Sequence, residues 1–278
     1  SPLVTFIFEK EGLPFSEMKL LTPGTNAVFK VGANVVKIFA PIESGMDQTL
    51  DLQTELFAIR RVGKLGVSVP KLIAQGAVED KYRFSYIITE YIKGVAFSEK
   101  VRTMTDAEKT KFGRKLRVLT DRMNTPCEAF NNIDVINDKD RSRRWDKYTE
   151  KFREERIGYI RSRGFGEKVF VHGDLCGDNI LFSPDGGLSI IDFADAVLAP
   201  KIYEQSFAAV ELFDFDRAFL RGYFENCPPE ELIELCFDGL LIHDFGGDIV
   251  DNHIGRSCEI DSLGKLKEML RQKIQKIT

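Results

Sequence analysis

The stretch VFVHGDLCGDNILFSPDGGLSIIDFADAVLAP, residues 169–200, decides the fold of this 278-residue chain. It places His172, Asp174, Asn179 and Asp192 between short apolar runs that are typical of buried strands. The Ser-Pro-Asp-Gly-Gly sequence after Asn179 predicts a tight turn, so the runs ILF and LSII should pair as a hairpin. A hairpin of this length can fold back and bring Asp192 near Asn179. The pattern therefore indicates a compact site built from oxygen ligands.

These residue types suit phosphoryl transfer. That reaction needs a carboxylate that orients the attacking hydroxyl, hard oxygen ligands for magnesium, and a cation for the inner phosphates of the nucleotide. Asp174 is the candidate base, and Asn179 and Asp192 are the candidate metal ligands. Each carboxylate alone could equally be a cap at a strand end, but that reading does not explain their order.

The cation is expected from the N-terminal part. Lys37 lies in the strand-like run VVKIF, and burying a lysine there is costly unless it has a partner. Glu55, on a predicted helix over residues 47–65, can supply that partner. Taken alone, the pair would read as a surface lysine and an ordinary helix glutamate. A turn upstream, with Gly24, Thr25 and Asn26, could cover phosphates with backbone N–H groups.

In this order the motifs resemble the aminoglycoside phosphotransferase and choline kinase branch of the protein-kinase-like fold, over residues 20–225. The loop reads HGDLCGDNIL where protein kinases carry HRD, and the metal motif reads IDFAD where they carry DFG. The resemblance implies that Asp174 is the catalytic base, that Asn179 and Asp192 bind Mg²⁺, and that Lys37, oriented by Glu55, holds the α- and β-phosphates.

The same resemblance implies a nucleotide site and a role for one histidine. The backbone near Glu90 and Ile92 would bind the purine of ATP or GTP, and the small Thr89 leaves either donor open. Phosphate contacts from Gly24, Thr25 and Asn26 are the weakest part, because the loop is poorer in glycine than in protein kinases. His172 would support the loop structurally.

The expected fold class is α+β, a two-lobed protein-kinase-like fold. Residues 1–92, read mostly as strands, form the nucleotide-binding lobe, and residues 93–278 form a larger helical lobe with the catalytic loop. Within that lobe, a capping box at Thr105 and Glu108 predicts a helix start. A basic helix is predicted over residues 140–163, and helix again over 202–278.

Composition excludes several classes of protein. The net charge of −4 argues against nucleic-acid binding through a basic surface, and no apolar run approaches the length of a membrane span. The five cysteines show no CxxC spacing, so they are expected to be reduced thiols of a cytoplasmic protein. Cys176, inside the predicted loop, is expected to fill space or to react with thiol reagents. Oligomeric state has no signal in the sequence.

A second DFG sequence lies in HDFGGD, residues 243–248. It follows a helical pattern rather than a hairpin, so it is not expected to bind magnesium. His243, Asp248, Asp251 and His253 could form a zinc cluster, but a helix end with solvated carboxylates is the preferred interpretation.

Charge suggests the acceptor. Residues 202–261 carry fourteen acidic and three basic side chains, which would attract a cationic acceptor if they wall its site. A solvated helical surface explains the same count equally well. The leading prediction is a kinase for a cationic small molecule, with an aminoglycoside favoured. The alternatives are a choline or other amino-alcohol kinase, a divergent protein kinase, and a nucleotide-binding pseudokinase.

Overall fold

A computed structural model describes residues 2–21, 26–79, 81–138 and 140–276 of the chain. Six of the ten described strands lie in the first ninety-six residues and eight of the ten described α-helices begin after residue 96, so the predicted α+β class is confirmed. No helix of the described ranges is long and apolar enough to cross a membrane.

Strands and helices are numbered in chain order. The strands are β1 (Met18–Leu20), β2 (Ala27–Val31), β3 (Asn34–Ile38), β4 (Leu72–Glu79), β5 (Arg83–Glu90), β6 (Val95–Ala96), β7 (Lys168–Val171), β8 (Ile180–Phe182), β9 (Leu188–Ile190) and β10 (Val197–Pro200). The helices are α1 (Pro2–Lys10), α2 (Thr49–Lys64), α3 (Phe97–Lys100), α4 (Asp106–Met123), α5 (Glu150–Ser162), α6 (Ile202–Phe207), α7 (Arg217–Phe224), α8 (Pro229–Ile242), α9 (Gly246–His253) and α10 (Leu263–Gln275).

Contacts divide the chain into two compact units. The first consists of Ser1–Val95 and Leu181–Asp195, and the second of Ala96–Ile180 and Ala196–Thr278. The segment Leu181–Asp195 thus groups with the N-terminal part, whereas the sequence had placed it in the C-terminal lobe. The reason is local pairing: the Ile190 N–H donates to the Ser68 carbonyl, and the hydroxyls of Ser68 and Ser189 lie 2.8 Å apart.

The first unit is built on an antiparallel sheet with strand order β1-β2-β3-β5-β4. The sequence runs NAVFKVG and NVVKIFA are rich in β-formers and are separated by a Gly-Ala turn, which predicts a hairpin. This hairpin is present as β2 and β3 and pairs Val28 with Lys37. Helix α1, which the sequence did not predict, covers one face of the sheet. Its Val4, Ile7 and Phe8 are buried in the apolar core of that face, because their spacing places them on one side of a helix.

The second unit is mainly helical. The predicted capping box of α4 is confirmed, because the Thr105 side chain accepts the Glu108 N–H while Glu108 accepts the Thr105 N–H. Helices α4 and α7 pack so closely that a Cβ on Gly222 would lie 2.2 Å from the Thr110 carbonyl oxygen. Only glycine fits at that crossing.

The single basic helix predicted over residues 140–163 is wrong. A short 3₁₀ turn spans Asp140–Trp145, and α5 begins only after Thr149. The Thr149 side chain accepts the Phe152 N–H and caps α5. Trp145, the last residue of the turn, and Tyr148, just before α5, are buried with their ring centroids 5.1 Å apart. Burial of these two rings holds the chain in the non-helical conformation that separates the turn from α5. The charge pattern of the sequence gives no sign of this burial.

Strands β7 and β10 form an antiparallel pair in which Val171 faces Val197. The end of β7 leads directly into the His172-Gly173-Asp174 sequence. The side chains of β7 from Val169 to Val171 are buried, so the loop starts from a rigid strand.

Candidate active site

Lys37 lies on β3 with only 7 % of its surface exposed. Its Nζ is 2.6 Å from Oε2 of Glu55 and 2.8 Å from Oδ1 of Asp192. Burial alone would lower the pKa of the Lys37 ammonium, but attraction to these two carboxylates outweighs burial and holds the pKa above its ordinary value. The structure therefore maintains a buried cation between two carboxylates of the first unit.

Glu55 is positioned by α2. It lies on the buried face of this helix together with Thr54, Ala58, Ile59 and Val62, which turns its side chain toward the sheet. The predicted pairing of Lys37 with Glu55 is thus present in the structure. The reading of the two residues as unrelated surface charges does not apply.

Asp192 follows β9 and has a positive φ of 60°. This left-handed backbone is uncommon for residues other than glycine, although Asp tolerates it better than most. Half of its side chain is exposed. The turn aims one carboxylate oxygen at Lys37 and leaves the carboxylate accessible to a ligand.

A cavity of about 150 Å³ lies beside this triad, within the first unit. Its charged end is formed by Lys37, Glu55 and Asp192. Its remaining lining is mostly apolar and includes Glu90 and Ile92, near which the purine is expected to bind. The other lining residues are Leu21, Val28, Val35, Ile59, Pro70, Ile87, Thr89, Tyr91, Leu181 and Ile191. An apolar slot with a few fixed polar groups is the usual form of a small-molecule site.

The segment from Glu90 to Ile92, where the purine is expected, has part of its backbone already hydrogen-bonded. The N–H groups of Glu90 and Tyr91 donate to the carbonyls of Lys71 and Ala33, at 2.9 and 2.8 Å. In the upstream turn, Asn26 is buried. Gly24 and Thr25 lie outside the described residues.

The second unit holds the predicted catalytic loop. Asn179 Nδ2 donates to the Asp174 carbonyl at 2.8 Å and to Asp174 Oδ2 at 3.3 Å, so the structure brings these two predicted residues together. Gly173 has a φ of +85°, a conformation that favours glycine. The tight turn and the amide of Asn179 therefore fix the orientation of the Asp174 carboxylate.

His172 supports this loop from inside. Its side chain is fully buried, and its Nδ1 accepts the Asp174 N–H at 3.3 Å. Because Nδ1 is an acceptor here, a neutral ring carries its proton on Nε2. The contact agrees with a structural rather than a chemical role.

Glu204 is a site residue that the sequence did not reveal. This buried carboxylate on α6 accepts the backbone N–H groups of His172 and Gly173 and the Asn124 Nδ2, the last at 3.0 Å. Burial raises the pKa of Glu204 to about 7, and these hydrogen bonds oppose the rise. In the sequence Glu204 reads as an ordinary acidic residue in a first helical turn.

The thiol of Cys176 has a raised pKa. Burial, and then the nearby Asp174 carboxylate, raise its pKa to about 12. The thiol therefore stays protonated near neutral pH, and the thiolate that reacts with thiol reagents is scarce.

The second DFG sequence lies at a helix end, as expected. His243 caps the end of α8 and stacks on Tyr203 at 3.9 Å between ring centroids. Asp248 pairs with Arg144 and Lys147, at 2.7 and 2.6 Å. Within residues 2–21, 26–79, 81–138 and 140–276, no group of three or more His, Cys, Asp or Glu side chains could hold a metal ion.

The acidic segment carries less free charge than its composition indicates. Asp216 pairs with Lys109, and Asp238 pairs with Arg163. These basic partners lie outside residues 202–261, as do Arg144 and Lys147. The counted excess of acidic residues is therefore partly neutralised within the second unit.

Solved structures share this fold at low sequence identity. An ADP-bound aminoglycoside phosphotransferase APH(2'')-Ib is 14 % identical, with a TM-score of 0.61 and coverage of 100 % of this chain and 99 % of that one. A microcompartment-associated aminopropanol kinase is 15 % identical, with a TM-score of 0.63 and coverage of 99 % and 95 %. A choline/ethanolamine kinase family protein from Mesorhizobium loti is 17 % identical, with a TM-score of 0.57 and coverage of 94 % and 88 %.

These likenesses confirm the predicted protein-kinase-like fold. No curated protein matches the sequence. The model of the phosphotransferase enzyme family APH matches residues 23–230, which is most of the chain and includes every predicted site residue. The chain therefore belongs to the APH phosphotransferase enzyme family, and it is a small-molecule kinase that acts on hydroxyl groups.

Proposed function

We propose that the protein transfers the γ-phosphate of ATP or GTP to a hydroxyl of a cationic small molecule, with an aminoglycoside as the favoured acceptor. The observation that carries the proposal is the buried Lys37 between Glu55 and Asp192, at the charged end of an apolar cavity. A fixed cation is what the inner phosphates of a nucleotide need. The solved aminoglycoside phosphotransferase structures that share this fold include complexes with ADP, GDP and ATP.

In this proposal the nucleotide occupies the first unit. The purine lies in the apolar slot, and Lys37 neutralises the α- and β-phosphates. Since the N–H groups of Glu90 and Tyr91 already donate within the protein, the purine edge is read by other backbone groups of the segment, such as the Ile92 N–H. Thr89 leaves room for either purine, so both donors are tested.

Magnesium fits the proposed ligands by their chemistry. Asp192 offers a carboxylate that is half exposed. Asn179 uses its Nδ2 as a donor toward Asp174, which leaves its Oδ1 as the ligand atom. Both are hard oxygen donors, the type that Mg²⁺ prefers in combination with nucleotide phosphates. When bound, the ion would neutralise charge on the phosphates.

Asp174 is the proposed base of the second unit. Its carboxylate accepts a hydrogen bond from the acceptor hydroxyl, orients that oxygen, and takes the proton as the oxygen bonds to the γ-phosphorus. The bond from the γ-phosphorus to the bridging oxygen breaks at the same time, and ADP or GDP leaves with the electron pair. The products are the phosphorylated acceptor, the nucleoside diphosphate and one proton.

A cationic acceptor is supported by the acidic residues that remain around α9. Glu211 and Asp214 lie 3.0 and 3.1 Å from the two ring nitrogens of His253. The group is negative even when the imidazole is protonated, and a charge of this sign attracts amines. Aminoglycosides carry several amines, so they gain most from it.

An amino-alcohol kinase is the second candidate. It is supported by the shared fold with the aminopropanol kinase and the choline/ethanolamine kinase family protein. The ion pairs that neutralise part of the acidic segment also favour an acceptor with one positive charge. The pseudokinase alternative is disfavoured because the lysine, the base and the metal ligands are all present.

The test is nucleotide consumption with magnesium, using ATP and GTP in parallel, against aminoglycosides, choline, ethanolamine, aminopropanol and neutral sugars. We expect stimulation by a cationic acceptor in the wild-type protein. Asp174→Asn should abolish that stimulation and leave nucleotide binding nearly unchanged. Asp178→Asn, an exposed carboxylate of the same loop, is the matched control and should stay active. Stimulation by neutral sugars alone would overturn the cationic acceptor.

A further inference from the structure

A second cavity of the first unit lies away from the nucleotide slot, where β3 leads into α2. Its volume is about 270 Å³, and its lining includes Phe39, Gln48, Thr49 and Arg83. A single water needs only about 15 Å³ of such volume. The cavity is therefore large enough for a small organic molecule.

The inner wall of this cavity carries a buried hydrogen-bond donor. Gln48 is 5 % exposed, and its Oε1 accepts the Ala40 N–H at 2.5 Å. That bond fixes the orientation of the amide, because only the oxygen can accept. Nε2 is buried and has no acceptor among the described residues. Buried donors are nearly always satisfied in proteins, so this amide group points to a ligand acceptor in the cavity.

The surroundings favour a ligand with one negative charge. Arg83 lies at the exposed rim, and its guanidinium can hold two oxygens of one ligand side by side. Gln48 is also the residue before α2, whose first turn carries partial positive charge. Glu43 lines the same cavity and opposes a doubly charged anion. Asp47, whose carboxylate accepts the Thr49 N–H at 2.9 Å, and Asp51 in the first turn of α2 add further negative charge nearby, so binding depends on direct contacts with Gln48 and Arg83.

We infer that this cavity binds a small carboxylate, with one oxygen accepting from Gln48 Nε2 and the carboxylate facing Arg83. Glu43 adds a preference for a carboxylate that also carries an ammonium group. The site is distinct from the nucleotide slot, since none of the described residues lines both cavities. It lies next to β3 and α2, the elements that carry Lys37 and Glu55, since Phe39 and Ala40 follow β3 and Gln48 precedes α2.

The experiment records the side-chain amide resonance of Gln48 by ¹H–¹⁵N NMR during titration with acetate, glycine or inorganic phosphate. Sodium chloride at matched ionic strength is the control, and a non-hydrolysable nucleotide with magnesium keeps the first site filled. We expect a saturable shift with acetate, a tighter one with glycine, and a weaker one with phosphate. A resonance that does not shift, or shifts equally with chloride, would mean that the cavity holds only water and would overturn the inference.

Two variants locate the binding. Arg83→Gln at the rim should weaken acetate binding by about tenfold or more, whereas Arg60→Gln, on α2 and bonded to Gln75, should not change it. Gln48→Glu keeps an acceptor for the Ala40 N–H but replaces the donor, and should abolish binding. Acetate affinity that is unchanged in Arg83→Gln would contradict the assignment even if Gln48→Glu fails to fold. The test needs no acceptor and no turnover, so its outcome is independent of the proposed reaction.

Discussion

Replacing Lys37 with methionine tests the buried triad most severely. Methionine has a similar volume but no charge, so Glu55 would remain buried without its cation. Breaking a buried ion pair from one side costs about 3–5 kcal/mol. The carboxyl can avoid that cost by taking up a proton. From an ordinary pKa of 4.5, protonation at pH 7 costs about 3 kcal/mol. Both routes predict that Lys37→Met lowers the free energy of unfolding by about 3 kcal/mol at pH 7.

The direction of the Glu55 pKa shift determines how the stability loss of Lys37→Met changes with pH. Burial raises the pKa of Glu55, and loss of Lys37 removes the attraction that opposes this rise. A group with a raised folded-state pKa contributes its stability below the unfolded pKa and loses it as the pH rises. The deficit of Lys37→Met should therefore shrink to below about 1 kcal/mol at pH 5, because protonation there is nearly free.

Urea unfolding followed by circular dichroism between pH 5 and 8 measures both quantities, provided that the transition of the first unit is resolved. Lys19→Met, an exposed lysine of the same sheet, should change stability by less than about 0.5 kcal/mol. The double variant Lys37→Met/Glu55→Gln should recover most of the stability but none of the activity. A Lys37→Met protein with wild-type stability at every pH would refute the reasoning.

Further predictions concern Asp192, Glu204, Gly173 and the cysteine thiols. Asp192→Asn should lower turnover by about a hundredfold or more, because it removes a proposed metal ligand, and should cost little stability, because that side chain is half exposed. Steady-state kinetics over a magnesium titration measures the loss of turnover. Normal turnover in this variant would mean that Asp192 is not a metal ligand. Because the pKa of Glu204 is raised to about 7, the stability that it contributes should be lost as the pH rises from about 4.5 to 7, and Glu204→Gln should abolish that slope in urea unfolding. Gly173→Ala should lower turnover, since alanine is strained at a φ of +85°; unchanged kinetics would show that the turn adapts. In native protein near pH 8, mass spectrometry should find iodoacetamide on the exposed Cys258 well before Cys176, and the reverse order would contradict the high pKa of Cys176.

The sequence predicted the parts of the site that have a local signature. The hairpin of β2 and β3 follows from its two β-rich runs, and the loop with Asp174 and Asn179 follows from spacing within ten residues. In both cases the residues that define the feature are close together in the sequence. The pairing of Lys37 with Glu55 was expected only in combination with the other motifs, because alone the two residues read as a surface lysine and an ordinary helix glutamate.

Features that depend on distant packing were not predicted. Glu204 anchors the loop only because α6 is buried beside it. There the Glu204 carboxylate also accepts a hydrogen bond from Asn124, which lies eighty residues earlier. The break before α5 depends on burial of Trp145 and Tyr148. The acidic segment is partly neutralised by bases such as Lys109 and Arg163 from other helices. None of these partners can be identified from local composition.

The most direct test of the central claim is to identify the product. Wild-type protein and Asp174→Asn are incubated with magnesium, the nucleotide triphosphate and a cationic acceptor, and the acceptor is analysed by mass spectrometry. We expect an acceptor heavier by one phosphoryl group on a hydroxyl, formed by the wild type and absent with Asp174→Asn. Equal product from both proteins would contradict the assigned base, and nucleotide binding without product for any acceptor would contradict the proposed reaction.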